Sequence, residues 1–506
     1  MWGGASQAQI YLNEVHGPIL NYGLLVEDST FVLNGIVTRP DTVCNSFVHR
    51  DRMYTRFDFN GNMVDSLFII NDFCAGNGHR GDIKRLNDSV YFQSGWVGDW
   101  PNDPGVNAEL QLIKSDLSDT IKTIKFQYTP DLTTNWFFSE LDGNDRIFGL
   151  GLLPNDTNTN FGFFVPWIFR INADLSVTNL AILPSNNQTR GLYPTSLALG
   201  PQGQIIIGAQ DYVSFDEDDY NGWVIVLDST GSELWRHRMW NVPNRYDCGP
   251  EVFATSDGNY IVANQRGYDQ NTEPLYFNEN RISIKKLSPA GNVLWEKEYG
   301  NSSILFPDPS NPAFEPNFRP FKIKQNGVGD LFIAGHNYAW SAILKISSNG
   351  DSLWYREIRD RIGNYSNVIQ NSVKEVNYLY DMELLGDSAI LVAGQYQTDP
   401  GGAVYPNGAQ LNWFALLDQN GCDSVGCQYI RIIEPQNPLQ ELTIYPNPVK
   451  DILRVTGAQT EEYEVLDLMG RTVLQGFLNE GINVSKLPSG TYVLRIGNEG
   501  RRFVKD

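Results

Sequence analysis

The chain has 506 residues, 41% hydrophobic and 19% charged, which is a globular balance with apolar surface enough for a large core or several domains. Its 38 Lys and Arg stand against 59 Asp and Glu, a net charge of -21. That balance excludes nucleic acid as an expected partner, because phosphate backbones are met by basic patches. No apolar run reaches the roughly 18 residues that a spanning helix needs, so no transmembrane segment is expected.

In chain order, the opening MWGGASQAQ is too short for a complete secretory signal. Ser6-Gln7-Ala8 resembles a small-x-small cleavage site with Gln9 opening the mature chain, so a missing or truncated signal peptide is expected. A long-period repeat follows. Trp235, Trp295 and Trp354 each close a Gly-x-x-Leu-Trp unit, at intervals of 60 and 59 residues (235 to 295, 295 to 354). Around each unit the same grammar recurs: an apolar strand, an irregular polar loop, a second strand, a tight Gly turn, and the Leu-Trp strand. GQIIIGAQ, GWVIVLDSTG and SELWRHRMW form one copy. Weaker copies occupy the first third, and DSAILVAGQ with NWFALLDQNG is the last.

Seven copies result, with entering strands centred near Val32, Tyr91, Phe148, Ile206, Ile261, Phe332 and Leu391. Their spacing is about 58 residues, except one of 71 (261 to 332) that holds a Pro-rich insertion. Short alternating strands, Gly turns and no helical periodicity predict an all-β fold, a seven-bladed β-propeller with the Leu-Trp strand outermost. The period-locked tryptophans are expected to be scaffold packed on the neighbouring blade, in preference to a sugar-stacking platform. The last copy lacks a Leu-Trp strand, and QIYLNEVHG imitates one. Residues 9–16 are therefore expected to supply the outer strand of the seventh blade, with the propeller spanning 1–434, a linker 435–441 and a separate tail 442–506.

In such a blade the first-to-second and third-to-fourth turns share one face of the disc. Here those turns are short and uniform (DSTG, SPAG, SSNG, DFNG, NADL), whereas the opposite loops are long and all different. Rigid scaffolds carry binding residues on loops of the second kind, so the ligand site is expected there. Its candidate aromatic residues are Trp96, Trp100, Tyr268, Tyr276 and Tyr405; unselected loop drift is the plainer alternative. In the same loops Asp216, Asp218 and Asp219 could hold a hard cation such as calcium. An EF-hand-like frame from Glu217 through Asp219, Asn221 and Gly222 would end at Asp228, but a solvated acidic loop is preferred. No other cofactor is expected.

Catalytic patterns are scarce. The five histidines form no HExxH, and no Gly-x-Ser-x-Gly elbow, P-loop or dinucleotide fingerprint occurs. Binding therefore ranks ahead of catalysis, although propellers do host enzymes on their loop face. Of the five cysteines, Cys422 and Cys427 enclose a short loop and are expected to pair in an oxidising compartment; Cys44 and Cys74 could also pair, leaving Cys248.

After residue 441 the period breaks. Tyr445-Pro446-Asn447-Pro448, Asp467-Leu468-Met469-Gly470-Arg471 and Leu487-Pro488-Ser489-Gly490-Thr491-Tyr492-Val493-Leu494 appear in that order. The tail thus resembles the type A sorting domain of the type IX secretion system of certain Gram-negative bacteria. By its own residues the Pro446-Asn447-Pro448 turn starts the first strand, Gly470 and Gly490 mark tight hairpins, and Tyr492, Leu494 and Ile496 alternate onto one face of a small immunoglobulin-like sandwich. The resemblance implies recognition by the type IX translocon, delivery across the outer membrane, and a secreted or cell-surface cargo. Many members end in Lys or Arg, where this chain ends in Lys505-Asp506. The short Cys loop before the tail also looks like a feature of the family's cargo. The expected function is a secreted or surface-attached protein binding glycan or protein through its loop face. The alternatives are a glycan-active hydrolase or lyase on that face, and a structural surface component.

Overall fold

A computed structural model of the chain describes residues 10–13, 19–39, 49–69, 83–97, 107–126, 135–154, 164–183, 191–212, 220–239, 249–266, 281–299, 319–336, 341–358, 375–400, 407–422, 443–456, 462–467, 471–478, 481–496 and 499–506. It divides into two compact units, Met1–Pro435 and Gln436–Asp506. All regular structure among the described residues is β-strand.

In the first unit, β1 (Ile10–Asn13) precedes seven consecutive groups of strands. The first sheet holds β2 (Ile19–Val26), β3 (Thr30–Arg39), β4 (His49–Asp58) and β5 (Met63–Ile69). The second holds β6 (Ile83–Asn87), β7 (Val90–Val97), β8 (Asn107–Lys114) and β9 (Thr120–Phe126). The third holds β10 (Asn135–Leu141), β11 (Ile147–Pro154), β12 (Phe164–Ile171) and β13 (Val177–Ile182). The fourth holds β14 (Gly191–Leu199), β15 (Ile205–Tyr212), β16 (Tyr220–Leu227) and β17 (Glu233–Arg238). The fifth holds β18 (Glu251–Ala254), β19 (Tyr260–Arg266), β20 (Arg281–Leu287) and β21 (Val293–Tyr299). The sixth holds β22 (Arg319–Gln325), β23 (Leu331–His336), β24 (Ser341–Ile346) and β25 (Ser352–Ile358). The last contains β26 (Glu375–Leu385), β27 (Ala389–Pro400) and β28 (Asn407–Asp418), and its fourth strand is β1, paired from Ile10↔Ala415 to Asn13↔Asn412.

The middle strands are buried on both faces, which is why Ile205-Ile206-Ile207 and Val224-Ile225-Val226-Leu227 read as unbroken apolar runs. Alternation sends the two faces of a sheet to different neighbours. Ile205, Ile207 and Ala209 pack with Phe148 and Leu150 of the preceding sheet, whereas Ile206, Val224 and Val226 pack with Tyr260 and Val262 of the next. The pattern repeats at every junction, and Phe31, Leu33 and Phe57 of the first sheet pack with Leu391, Phe414 and Leu416 of the last. Four-stranded sheets packed face to face in sequence order make the first unit a β-propeller.

One end of these sheets is chemically uniform. Each turn that leaves a third strand closes with an N–H to C=O bond across three residues, and the closing residue has positive φ: Gly61, Leu117, Leu175, Gly231, Gly291 and Gly350 lead into fourth strands, and Gly421 follows β28. A type I turn followed by a left-handed residue suits the right-handed strand twist, and glycine adopts that conformation most readily. These glycines also explain the repeated tryptophans. A Cβ on Gly291 would lie 3.0 Å from the Trp235 ring, one on Gly350 3.0 Å from Trp295, and one on Gly421 2.9 Å from Trp354. Each indole covers the turn glycine of the following sheet, so Gly and Leu-Trp recur together because they form successive interfaces.

The structure also revises the repeat grammar. The apolar strands taken as entering each copy are second strands, and an inner strand precedes each one. Inner strands are hard to read for different reasons: Glu251–Ala254 is only four residues long, and Arg319–Gln325 is half-buried and interrupts its apolar residues with Arg319, Lys322 and Lys324. The EF-hand-like frame is incompatible with the fold, because Asn221 and Gly222 lie within β16, paired with Asp211 and Gln210, and Asp228 begins the turn at its far end.

The second unit has two sheets. One holds β29 (Thr443–Tyr445), β30 (Ile452–Thr456) and β33 (Ile482–Asn483); the other holds β31 (Glu462–Leu466), β32 (Thr472–Phe477), β34 (Gly490–Ile496) and β35 (Glu499–Lys505). Val449, Leu453, Val465, Ile482, Val484, Tyr492, Leu494, Ile496 and Phe503 form its core.

Candidate functional site at the loop end of the propeller

Antiparallel connectivity puts the second-to-third loops and the links between sheets at the end opposite the uniform turns. Trp96 lies in β7 near that end. Trp100, Tyr268, Tyr276, Tyr405, Asp216, Asp218 and Asp219 lie outside the described residues, as do Cys44, Cys74, Cys248 and Cys427. Among the described residues, no three His, Cys, Asp or Glu side chains are placed to hold a metal ion, and no helix is long and apolar enough to cross a membrane.

The structure adds residues that the sequence did not single out. Five inner strands bulge at one equivalent step, immediately after the pairs Asn21↔Gly35, Trp136↔Gly151, Pro194↔Ala209, Pro320↔Gly335 and Leu379↔Gly394. The extra residues are Tyr22, Phe137, Thr195, Phe321 and Tyr380. Bulges re-aim side chains and gather at the rims of sheets, and these lie toward the loop end of the innermost strands. The common step is visible only when strands are paired, which explains why the sequence conceals it.

The residue following the bulge ties neighbouring inner strands together. Ser196 Oγ accepts the Val252 amide at 3.0 Å and donates to the Pro250 carbonyl at 2.7 Å. At the equivalent position Asp381, 1% exposed, accepts the Leu24 amide at 2.8 Å. Its other oxygen accepts the Met382 amide at 2.8 Å and faces Lys322 Nζ at 3.0 Å. One carboxylate thus links β22, β26 and β2. Closer to the turn end, Lys324 meets Glu383 at 2.6 Å, an ion pair repeated by Lys84 and Glu140 at 2.6 Å between β6 and β10.

The ion pair between Lys322 and Asp381 brings the sixth and seventh bulges side by side. Phe321 and Tyr380 are both half-buried there. The Arg319 guanidinium lies 5.3 Å from the Phe321 ring centroid, Tyr378 stacks with Tyr380 at 6.1 Å, and the Tyr380 hydroxyl donates to Gln395 Oε1 at 3.3 Å. Burial pushes the Tyr378 phenol above its ordinary pKa.

A second polar group stands at the root of the acidic loop 213–219. Asp211 is buried, accepting the Trp223 indole N–H at 2.9 Å and the Asn221 amide at 3.2 Å. Burial raises its carboxyl pKa, against the opposing effects of those bonds and Arg238. Asp211 thus places a carboxyl group of raised pKa near the end of the strand that leads into this loop.

In the second unit the Tyr-Pro-Asn-Pro segment clasps the final strand. Asn447 Oδ1 accepts the Val504 amide at 2.8 Å and Nδ2 donates to the Arg502 carbonyl at 3.3 Å. Val449 donates to the Val504 carbonyl at 2.8 Å and accepts from Asp506 at 3.0 Å. Pro446 and Pro448 flank this contact, so the motif anchors the last strand as well as beginning a sheet. Gly470 lies outside the described residues, but Asp467 and Arg471 close the turn around it, with Arg471 Nη2 2.7 Å from the carboxylate. Gly490 opens β34 opposite Lys505, following the turn closed from Leu487 to Val484. Tyr492 stacks on Phe503 at 5.7 Å and donates its hydroxyl to the Pro488 carbonyl at 2.9 Å.

Residues 443–506 match the family described as the secretion system C-terminal sorting domain. Among curated proteins, no sequence matches the chain. A solved structure of a protein of unknown function from Dyadobacter fermentans is similar at 9% identity and TM-score 0.45, covering 81% of this chain and 98% of that one. The alpha-L-arabinanase of Penicillium chrysogenum aligns at 10% identity and TM-score 0.43, covering 67% and 92%. The GH93 alpha-L-arabinofuranosidase of Fusarium graminearum gives the same values. Likenesses this distant leave activity and substrate to the residues of the chain itself.

Proposed function

We propose that this chain, a β-propeller protein carrying a type IX secretion sorting domain, binds a glycan or protein at or outside the cell surface through the loop end of its propeller. The seven sheets are the blades of one seven-bladed ring within 1–434, residues 9–16 complete the last blade, and 435–441 link it to 442–506. The tail is an immunoglobulin-like sandwich that the translocon recognises, with Pro446, Asn447 and Pro448 fastening its final strand. Cys422 pairs with Cys427, and Cys44 with Cys74. Calcium at Asp216, Asp218 and Asp219 would order the acidic loop.

The contrast between the two ends carries this reading. One end repeats a single turn chemistry from sheet to sheet, whereas the loop sequences assigned to the other are unrelated and the inner strands bulge toward it. The test is full-length protein on arrays of glycans and surface proteins, with loop 267–280 replaced by a short Gly-Ser turn. Binding should fall with that replacement and survive Thr230→Ala at the uniform end; retention through removal of each long loop in turn would sink the assignment. A second reading, a glycan-active enzyme, draws on the buried, pKa-raised Asp211. Release of reducing sugar that Asp211→Asn abolishes would favour it.

A further inference from the structure

Within that loop-end site, we propose that Phe321 and Tyr380, with Arg319, Tyr378 and Gln395 around them, form a subsite for a ring of a neutral glycan. The idea rests on the loop-end reading and narrows it to a chemical class and a place. Two half-buried aromatic side chains stand at neighbouring bulges, held together by the ion pair between Lys322 and Asp381 at 3.0 Å. Each is the extra residue of its bulge, with no register partner on the second strand.

Their surroundings mix flat apolar area with directional polar groups. Phe321 lies beneath the Arg319 guanidinium, and Tyr380 adjoins both Tyr378 and Gln395. A sugar ring has the complementary construction, with C–H groups on one face and hydroxyls at its edge. Aromatic rings cover the former, while amide, phenol and guanidinium groups meet the latter. An apolar peptide would want a groove without this polar margin. The charge favours a neutral ligand: the chain carries -21, and the repulsion of that field disfavours a polyanion. Among the described residues around Phe321 and Tyr380, the carboxylate of Asp381 is already matched by Lys322 and makes no demand for a cationic ligand.

The test uses full-length protein and affinity electrophoresis through soluble glucan, mannan, xylan and arabinan, with polygalacturonate and a displayed peptide library as comparators. The expected result is retardation by at least one neutral polysaccharide. Phe321→Ala and Tyr380→Ala should each weaken it at least tenfold, while Tyr380→Phe should retain most of the affinity. As a check independent of variant folding, the retarding polysaccharide should protect Tyr378 and Tyr380 of the unaltered protein from nitration, read by peptide mass mapping. Neutral-glycan binding with unchanged affinity in folded alanine variants and no protection would overturn the subsite but leave the loop-end reading intact. Preference for polygalacturonate, or for peptides in a manner lost on Phe321→Ala, would overturn the ligand class. Binding to none of the three classes would overturn both.

Discussion

Asn264 is anomalous among its equivalents. Six sheets place Gly35, Gly95, Gly151, Ala209, Gly335 and Gly394 at this second-strand position, and in three of them the residue opposite is a tryptophan: Trp167, Trp223 or Trp413. The fifth sheet pairs Asn264 with Ser283. Both are fully buried, and neither side chain has a hydrogen-bond partner among the described residues. A buried polar group without a partner costs about 1–3 kcal/mol. Asn264→Ala should therefore raise unfolding free energy by about 1 kcal/mol in urea titration. A loss of stability would instead mean that the amide is satisfied by something above it at the loop end. His237 tests the same interface by pH. Burial, then the nearby Lys285 ammonium, lowers its pKa against a smaller opposing effect of Glu296. Its neutral form is thus favoured in the folded state. The stability it contributes is present above the ordinary value of 6.5 and is lost as pH falls from there toward the folded value. The urea midpoint should drop over that window, and His237→Gln should flatten the drop; parallel profiles would refute this account.

At the scale of strands and turns, the tryptophans act by covering the turn glycines ahead of them. Gly350 combines φ of 83° with a 3.0 Å approach to Trp295, so alanine there meets backbone strain and a crowded ring together. Gly350→Ala should cost about 1–3 kcal/mol in thermal unfolding. Gly143→Ala, in a turn with nothing within 4 Å of the new methyl, should stay within about 0.5 kcal/mol. Equal effects at both positions would remove the ring contact from the explanation. This level also marks where sequence reading succeeds. The second, third and outer strands announce themselves by apolar runs, Gly turns and the repeated Trp, because the runs are buried, the glycines hold positive φ and each indole packs on a turn, although the leucines beside them, Leu234, Leu294 and Leu353, are exposed. Inner strands such as β18 and β22 do not, since the first is only four residues long and the half-buried positions of the second carry charge. The bulges at Phe321 and Tyr380 are equally silent, because a bulge is a relation between strands. The tail was legible in Tyr445-Pro446-Asn447-Pro448, whereas the contact of Asn447 with Arg502 and Val504 needed the fold.

For the whole propeller, Asp381 is the most connected of the described carboxylates at the first-to-last junction, serving Leu24, Met382 and Lys322 with 1% exposure. Removing one partner of a buried pair leaves the other uncompensated, at about 3–5 kcal/mol. Asp381→Ala should lower stability by about that amount, and Asp381→Asn by less because the amide still accepts a bond. Chemical denaturation of the two variants would check the order.

The pairing of β1 with β28 also carries a consequence for assembly. Ile10 finds its partner at Ala415, so the last sheet gains its outer strand only after nearly all of the propeller chain is present. Contacts this distant in sequence are slow to form, and until then the outer edge of β28 offers free backbone groups. Another copy's residues 10–13 present the same backbone and the same register. At high local concentration, strand exchange between molecules would compete with closure within one, and a linked dimer would be its product.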